Sequence, residues 1–157
     1  MALMTGDEIL EIATRLEEDG AAFYDSAAAS AKTVGVKALF EELATQERYH
    51  RRAFQTMMGG EIALGFTPEQ YEEFTAYTDA LLRKEFFDHT GTALDHAAQA
   101  GDEQSALEAA LGFEKETLLF YHELKEMVSG ADRETVERII EEEKQHIKRL
   151  SRMRAAA

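Results

Sequence analysis

Leu39-Phe40-Glu41-Glu42-Leu43-Ala44-Thr45-Gln46-Glu47-Arg48-Tyr49-His50 repeats its apolar residues at intervals of three and four, the period of one helix face. Extended in both directions, the stripe reads Val36, Phe40, Leu43, Glu47, His50, Phe54 and Met57. A carboxylate and an imidazole therefore stand where a core helix should carry hydrocarbon.

The same test along the rest of the chain gives three more stripes. The first helix aligns Leu10, Ala13, Glu17, Gly20, Tyr24 and Ala27; the third, Leu107, Leu111, Glu114, Leu118, Tyr121 and Val128; the fourth, Val136, Ile139, Glu143, His146, Leu150 and Met153. Each has a glutamate near its middle. Neighbouring acids fall elsewhere: Glu18 goes with Glu11, Thr14 and Asp25, and Glu141 and Glu142 go with Glu134, Arg138, Gln145 and Arg149, which reads as solvated surface.

Breaks in the pattern set the architecture. Pro68 is the single proline, and glycines gather at Gly59-Gly60, Gly65, Gly91, Gly101 and Gly130. A capping box at Thr5-Gly6-Asp7-Glu8 opens a helix over 7–30, and Thr33 is expected to cap a second over 34–58. Asp102 should cap a third ending at Ser129 with Gly130 as its stop, and Asp132 a fourth reaching Met153. The segment 59–101 is too long for a tight turn and holds helical stretches at 69–77 and 79–100, broken near Gly91. The expectation is all-α: one domain over 1–157, a four-helix bundle of pairs 7–58 and 102–153 with a long, partly helical crossover between helices 2 and 3.

Composition narrows the chemistry. The chain has 157 residues, 45% hydrophobic and 31% charged, with no apolar run near the roughly 18 to 20 residues of a membrane span. Its net charge of −14 disfavours nucleic acid and anionic lipid and attracts cations. Without cysteine there is no disulfide, zinc finger or iron–sulfur cluster, so any metal must take oxygen and imidazole ligands. No basic leader precedes an apolar stretch at the N-terminus, and a cytoplasmic location is expected.

Four glutamates in one apolar interior would each cost several kcal/mol unless neutralised, and none of the four stripes carries lysine or arginine. Two divalent cations would cancel four carboxylates, and two histidines would fill positions that oxygen leaves open. Glu47-Arg48-Tyr49-His50 and Glu143-Lys144-Gln145-His146 are both Glu-x-x-His, one turn of helix with both ligands on one side. Tyr24 lies seven residues after Glu17, and Tyr121 seven after Glu114, so each phenol can brace a metal-bound carboxylate across the bundle. The set Glu17, Tyr24, Glu47, His50 recurs as Glu114, Tyr121, Glu143, His146, displaced by 97, 97, 96 and 96 residues, like a duplicated helix pair.

Each motif alone is weak: with 23 glutamates and five histidines, Glu-x-x-His arises by chance about 0.7 times. The specificity lies in its conjunction with four helices, the order Glu, Glu-x-x-His, Glu, Glu-x-x-His, and placement on apolar stripes. Glu42 and Tyr49 share the seven-residue spacing, but Glu42 lies with Thr45 and Arg52 and the pair reads as coincidence. His89 and His96, on the crossover, and His122, one residue off its stripe, read as ordinary solvated or interface histidines.

These residues resemble the ferritin-like di-iron carboxylate proteins, whose ligand pattern is this one. Within them the chain is similar to the rubrerythrins through 16–24, 39–50, 109–121 and 140–146, and the likeness runs over nearly the whole sequence. The resemblance implies a ferritin-like bundle holding two Fe ions. Glu17 and Glu114 would be terminal ligands, Glu47 and Glu143 bridging ones, and His50 and His146 one nitrogen ligand per iron. It implies a non-haem oxidoreductase that oxidises Fe(II) or reduces H2O2 or O2, a peroxidase or ferroxidase, with no haem. Rival readings are a di-manganese, catalase-like centre, since the same donors accept Mn, an oxygenase, or a non-catalytic iron-binding bundle.

Rubrerythrins carry a rubredoxin domain after the bundle. This chain ends near its fourth helix without cysteine, so an external donor, a rubredoxin-like protein or a reductase, is expected to supply electrons. Rubrerythrins also carry a second glutamate one turn after the first on the third helix; Thr117 stands here, leaving a six-ligand set like that of bacterioferritin. Residues 154–157 are too few for the fifth helix of a ferritin shell, and a homodimer is the expected assembly.

Overall fold

The computed structural model describes residues 5–58, 67–81 and 102–156. Five helices occupy them: α1 (Gly6–Ser30), α2 (Val34–Met57), α3 (Pro68–Leu81), α4 (Glu103–Met127) and α5 (Gly130–Ala156). No strand occurs among the described residues. α1 packs along α2 and α4 along α5, and the two pairs meet through α1 against α4 and α2 against α5. This is the expected bundle of two helix pairs, with α3 in the connection between them. None of the described helices is long and apolar enough to cross a membrane.

Local chemistry explains most of the boundaries. At the start of α1, Thr5 Oγ1 accepts from the Glu8 amide while the Glu8 carboxylate accepts from the Thr5 amide, a complete capping box. Asp102 caps α4 by accepting from Gln104 N at 3.0 Å. Thr33 precedes α2 but does not cap it through its side chain. Its hydroxyl donates instead to Glu103 Oε2 at 2.7 Å, and Glu103 Oε1 accepts from the amides of Lys32 and Thr33. A carboxylate from the other helix pair thus serves the N-terminus of α2. α5 starts at Gly130, two residues before the expected cap; Gly130 takes φ +60°, a left-handed conformation that glycine adopts freely, and Asp132 sits in the first turn, where negative charge is favoured.

The expected helical stretch at 69–77 lies inside α3, which continues to Leu81. The rest of the 79–100 stretch, the break at Gly91, His89 and His96 lie outside the described residues.

All the stripe residues on α1 and α2 are buried. On α4 the interior turns slightly from the expected line: Leu118 is partly buried, and Thr117, only 2% exposed, takes the inner position. Met153 on α5 is likewise only partly buried. Aromatic rings fill the space around the middle of the bundle, with Tyr24 stacked on Phe40 at 5.8 Å and Phe54 tilted against Tyr121 at 5.0 Å. Each such side chain contributes about 1.5–3 kcal/mol by leaving water. That apolar frame is what holds four carboxylates in the interior.

Candidate metal centre

Glu17, Glu47, Glu114 and Glu143 are all 0% exposed, and His50 and His146 only 2% and 1%. Each comes from the middle of one of the four long helices, where the heptad-like spacing turns it inward together with its Leu, Phe and Tyr neighbours. The six side chains meet in two groups of four. Glu17, Glu47, His50 and Glu143 form one, and Glu47, Glu114, Glu143 and His146 the other; within each, one donor atom per residue lies within 4.8 Å of every other. Glu47 and Glu143 belong to both groups.

Both imidazoles turn Nδ1 inward. His50 Nδ1 lies 2.9 Å from Glu143 Oε1 and 3.6 Å from Glu17 Oε2. His146 Nδ1 lies 3.0 Å from Glu143 Oε2, 3.2 Å from Glu47 Oε1 and 3.4 Å from Glu114 Oε1. The rings stack face to face, with centroids 5.6 Å apart and planes within 19°. Behind the carboxylates the two tyrosines cross the bundle: Tyr24 donates to Glu114 Oε1 at 2.5 Å, and Tyr121 donates to Glu17 Oε1. Burial, then the nearby carboxylates, push both phenols well above their ordinary range, which keeps them as donors.

By themselves these side chains balance charge with protons. Burial raises Glu47 well above the usual carboxylate range, and the charges of Glu143, Glu17 and Glu114 add to it. Glu114 is pushed up to about 8 by burial and by Glu143. Burial would raise Glu143 too, but the charge of His146, 3.0 Å away, and the hydrogen bond from His50 outweigh it and hold this carboxylate below its ordinary value. Burial likewise opposes charge on the histidines; the carboxylates beside them prevail, raising His146 to about 12 and His50 further still.

That balance leaves donors unused. Glu17 Oε2, both oxygens of Glu47, Glu114 Oε2, Glu143 Oε2 and His146 Nδ1 are buried without a hydrogen-bond partner. Buried polar atoms are normally satisfied, and a group of such atoms from five residues facing one another is a donor set that a cation would satisfy. The donors are carboxylate oxygen and imidazole nitrogen only, which suits iron, manganese or zinc. The residues present therefore fit a pair of divalent ions.

Two residues escaped the sequence pattern. Glu142, placed there on the solvated face, is half-exposed (49% for its side chain) yet accepts from His50 Nε2 at 2.6 Å. Gln46 Oε1 lies 2.5 Å from His146 Nε2. Each immediately precedes a buried glutamate of a Glu-x-x-His, and that offset was the available signal. Among the outlying residues, Glu42 holds Arg149 through two bonds of 2.9 and 2.6 Å, Tyr49 is 62% exposed, and His122 is partly buried rather than free in solvent.

A Thermotoga maritima protein whose crystal structure is assigned to the ferritin-like diiron-carboxylate class superposes with a TM-score of 0.68 at 27% identity, over 99% of this chain and 97% of that one. No curated protein sequence matches the chain. Residues 8–154, which span all six inward-facing ligand candidates and both tyrosines, match the family model for rubrerythrin, and the chain is a member of the rubrerythrin family.

Proposed function

We propose that the chain is a non-haem di-iron oxidoreductase that oxidises Fe(II) or reduces H2O2 or O2, a peroxidase or ferroxidase in type. The observation that carries this reading is the sharing of Glu47 and Glu143 by two four-residue groups, each otherwise completed by its own glutamate and its own histidine. In it, Glu47 and Glu143 would be shared by two ions, Glu17 and Glu114 would each serve one of them as terminal ligands, and His50 and His146 would give one nitrogen to each. Two Fe(II) ions held there would supply, one electron each, the two electrons that reduce H2O2 to water or O2 to peroxide, becoming Fe(III).

The chain's own residues do the rest. Four carboxylates match the charge of two divalent ions, so loading the site removes both the repulsion and the unsatisfied oxygens. Tyr24 and Tyr121 fix the terminal carboxylates from opposite helix pairs and hold their protons throughout. The surrounding apolar rings exclude water and strengthen each of these interactions. In this reading an external donor such as a rubredoxin-like protein or a reductase supplies the electrons for sustained turnover on peroxide, since the sequence has no cysteine to hold a second iron site.

The test is an anaerobic load with two Fe(II) per chain followed by one addition of H2O2 or O2. The expected result is a stoichiometric rise in near-ultraviolet ferric absorbance, with further turnover only after a donor or more Fe(II) is supplied. An unchanged spectrum would mean a structural metal pair, and rapid release of O2 from H2O2 alone a catalase-like reaction in place of the peroxidase one, with metal analysis of the protein as purified telling manganese from iron.

A further inference from the structure

The two halves of the centre match ligand for ligand, but not behind the histidines. Gln46 and Glu142 occupy equivalent places 96 residues apart, each one position before a shared glutamate, and each reaches across the α2–α5 seam to the Nε2 of the opposite helix's histidine. One histidine faces a carboxylate, the other an amide. The amide's orientation is set by its surroundings: Gln46 Nε2 points to Glu42 Oε1 at 3.4 Å, and Glu42 is itself held by both guanidinium nitrogens of Arg149. That leaves the Gln46 oxygen for His146.

An imidazole that binds a cation through Nδ1 keeps its proton on Nε2 and donates it outward. Donation to a carboxylate is charge-assisted, about twice as strong as donation to a neutral carbonyl, and moves electron density onto the coordinating nitrogen. The ligand charge on the two sides is the same, three glutamates and a histidine each, with two of the glutamates shared. Among the described residues, the outer partner of the imidazole is where the two sides differ in charge.

We propose that Glu142 makes the position of Glu17, Glu47, His50 and Glu143 the tighter of two unequal cation positions, and that Gln46 leaves the position of His146 weaker and more readily exchanged. This rests on the reading of the site as a two-cation centre. Glu142 and Gln46 are positioning residues: they act through His50 and His146. Their difference gives the centre one retained ion and one that comes and goes, which suits a site that must take up Fe(II).

Co(II) titration of the full chain tests this, followed by calorimetry and by the far-shifted imidazole N–H resonances of cobalt-bound histidine. Two ions per chain should bind in two steps at least about tenfold apart, the first shifting the His50 N–H alone. Glu142→Gln should weaken the first step about 10- to 100-fold and move the His50 resonance while leaving helix content unchanged. Gln46→Glu should strengthen the second step, so that the steps converge in either variant. Two equal steps in the unmodified chain, or equal weakening of both by Glu142→Gln, would overturn the inequality and leave the two-cation reading intact. Failure to bind two Co(II) per chain would overturn both.

Discussion

Gly20 backs directly onto Glu47: a Cβ at position 20 would stand 2.9 Å from Glu47 Oε2 and 3.0 Å from Cε1 of Phe113. Glycine in mid-helix costs about 1 kcal/mol relative to alanine, and here it makes room for a carboxylate shared by both halves of the centre. Gly20→Ala should therefore leave the metal-free melting temperature nearly unchanged, its gain in helix propensity offset by the displaced carboxylate and ring. Divalent metal affinity should fall at least about tenfold at both positions together, the size of effect that follows from disturbing a ligand's support. Calorimetry showing wild-type affinity would mean that Glu47 is not held by this contact.

The protons on the cluster give metal binding a definite pH dependence. Glu114 goes from an ordinary value of 4.5 to about 8, and His146 from 6.5 to about 12. A group whose pKa is raised on folding contributes stability that is complete below the unfolded value and is lost as pH rises toward the folded one. The contribution from Glu114 is thus lost between pH 4.5 and 8, and that from His146 begins to be lost above 6.5. Cations displace the same protons, so their affinity rises over this range. The gain in melting temperature on adding Fe(II) under anaerobic conditions, or Zn(II), should be larger at pH 8 than at pH 6. Melting curves in which the gain is flat or shrinks would contradict the assignment of protons to these groups.

The bundle and the six inward donors were legible because period and burial report the same thing: a residue three or four positions from a core leucine shares its face, whatever its chemistry. Periodicity says less about where a long side chain ends. Glu142 belongs by position to the exposed side of α5, yet its length carries its carboxylate back over the seam to His50. Thr33 was misread for a related reason, since its hydroxyl chose a carboxylate 70 residues away over the turn beside it. Leu118 and Thr117 exchange places because α4 is rotated slightly about its axis, a matter of packing between helices that no single helix encodes.

The crossed phenols give a further prediction. Tyr24→Phe removes the hydrogen bond to Glu114, and Tyr121→Phe the one to Glu17, leaving a buried oxygen without a donor in each case. Each should cost about 1–3 kcal/mol of metal-free stability, the penalty for an unsatisfied buried acceptor. Because neither tyrosine reaches the ions in the proposed arrangement, two divalent cations should still bind per chain, with affinity lowered about tenfold or more at the position of the affected glutamate. Loss of both ions from Tyr24→Phe would place the phenol among the ligands.

The sharpest contrast is between neighbours on one helix turn and their counterparts across it. Glu18 is exposed and faces Arg51 at 3.3 Å, in a surface pair worth under about 1 kcal/mol. Glu18→Ala should therefore bind two divalent cations with wild-type affinity. Glu47 has both oxygens buried and unpartnered, and repulsion from Glu143, Glu17 and Glu114 adds to the cost of ionising it. Glu47→Gln should accordingly melt no lower than the wild type when metal-free, since it replaces a carboxyl group that burial holds neutral with a neutral amide of the same shape. The stabilisation by metal should be lost, because both ions depend on that carboxylate. Glu143→Ala should also lose both ions. It should melt lower without metal as well, because Glu143 is the ionised partner of His50 and His146 and its removal leaves two buried imidazoles with weaker counter-charge. Parallel metal titrations and melting curves of the three variants separate these effects, and equal behaviour of Glu18→Ala and Glu47→Gln would contradict the assignment of α1 and α2 faces on which the centre is built.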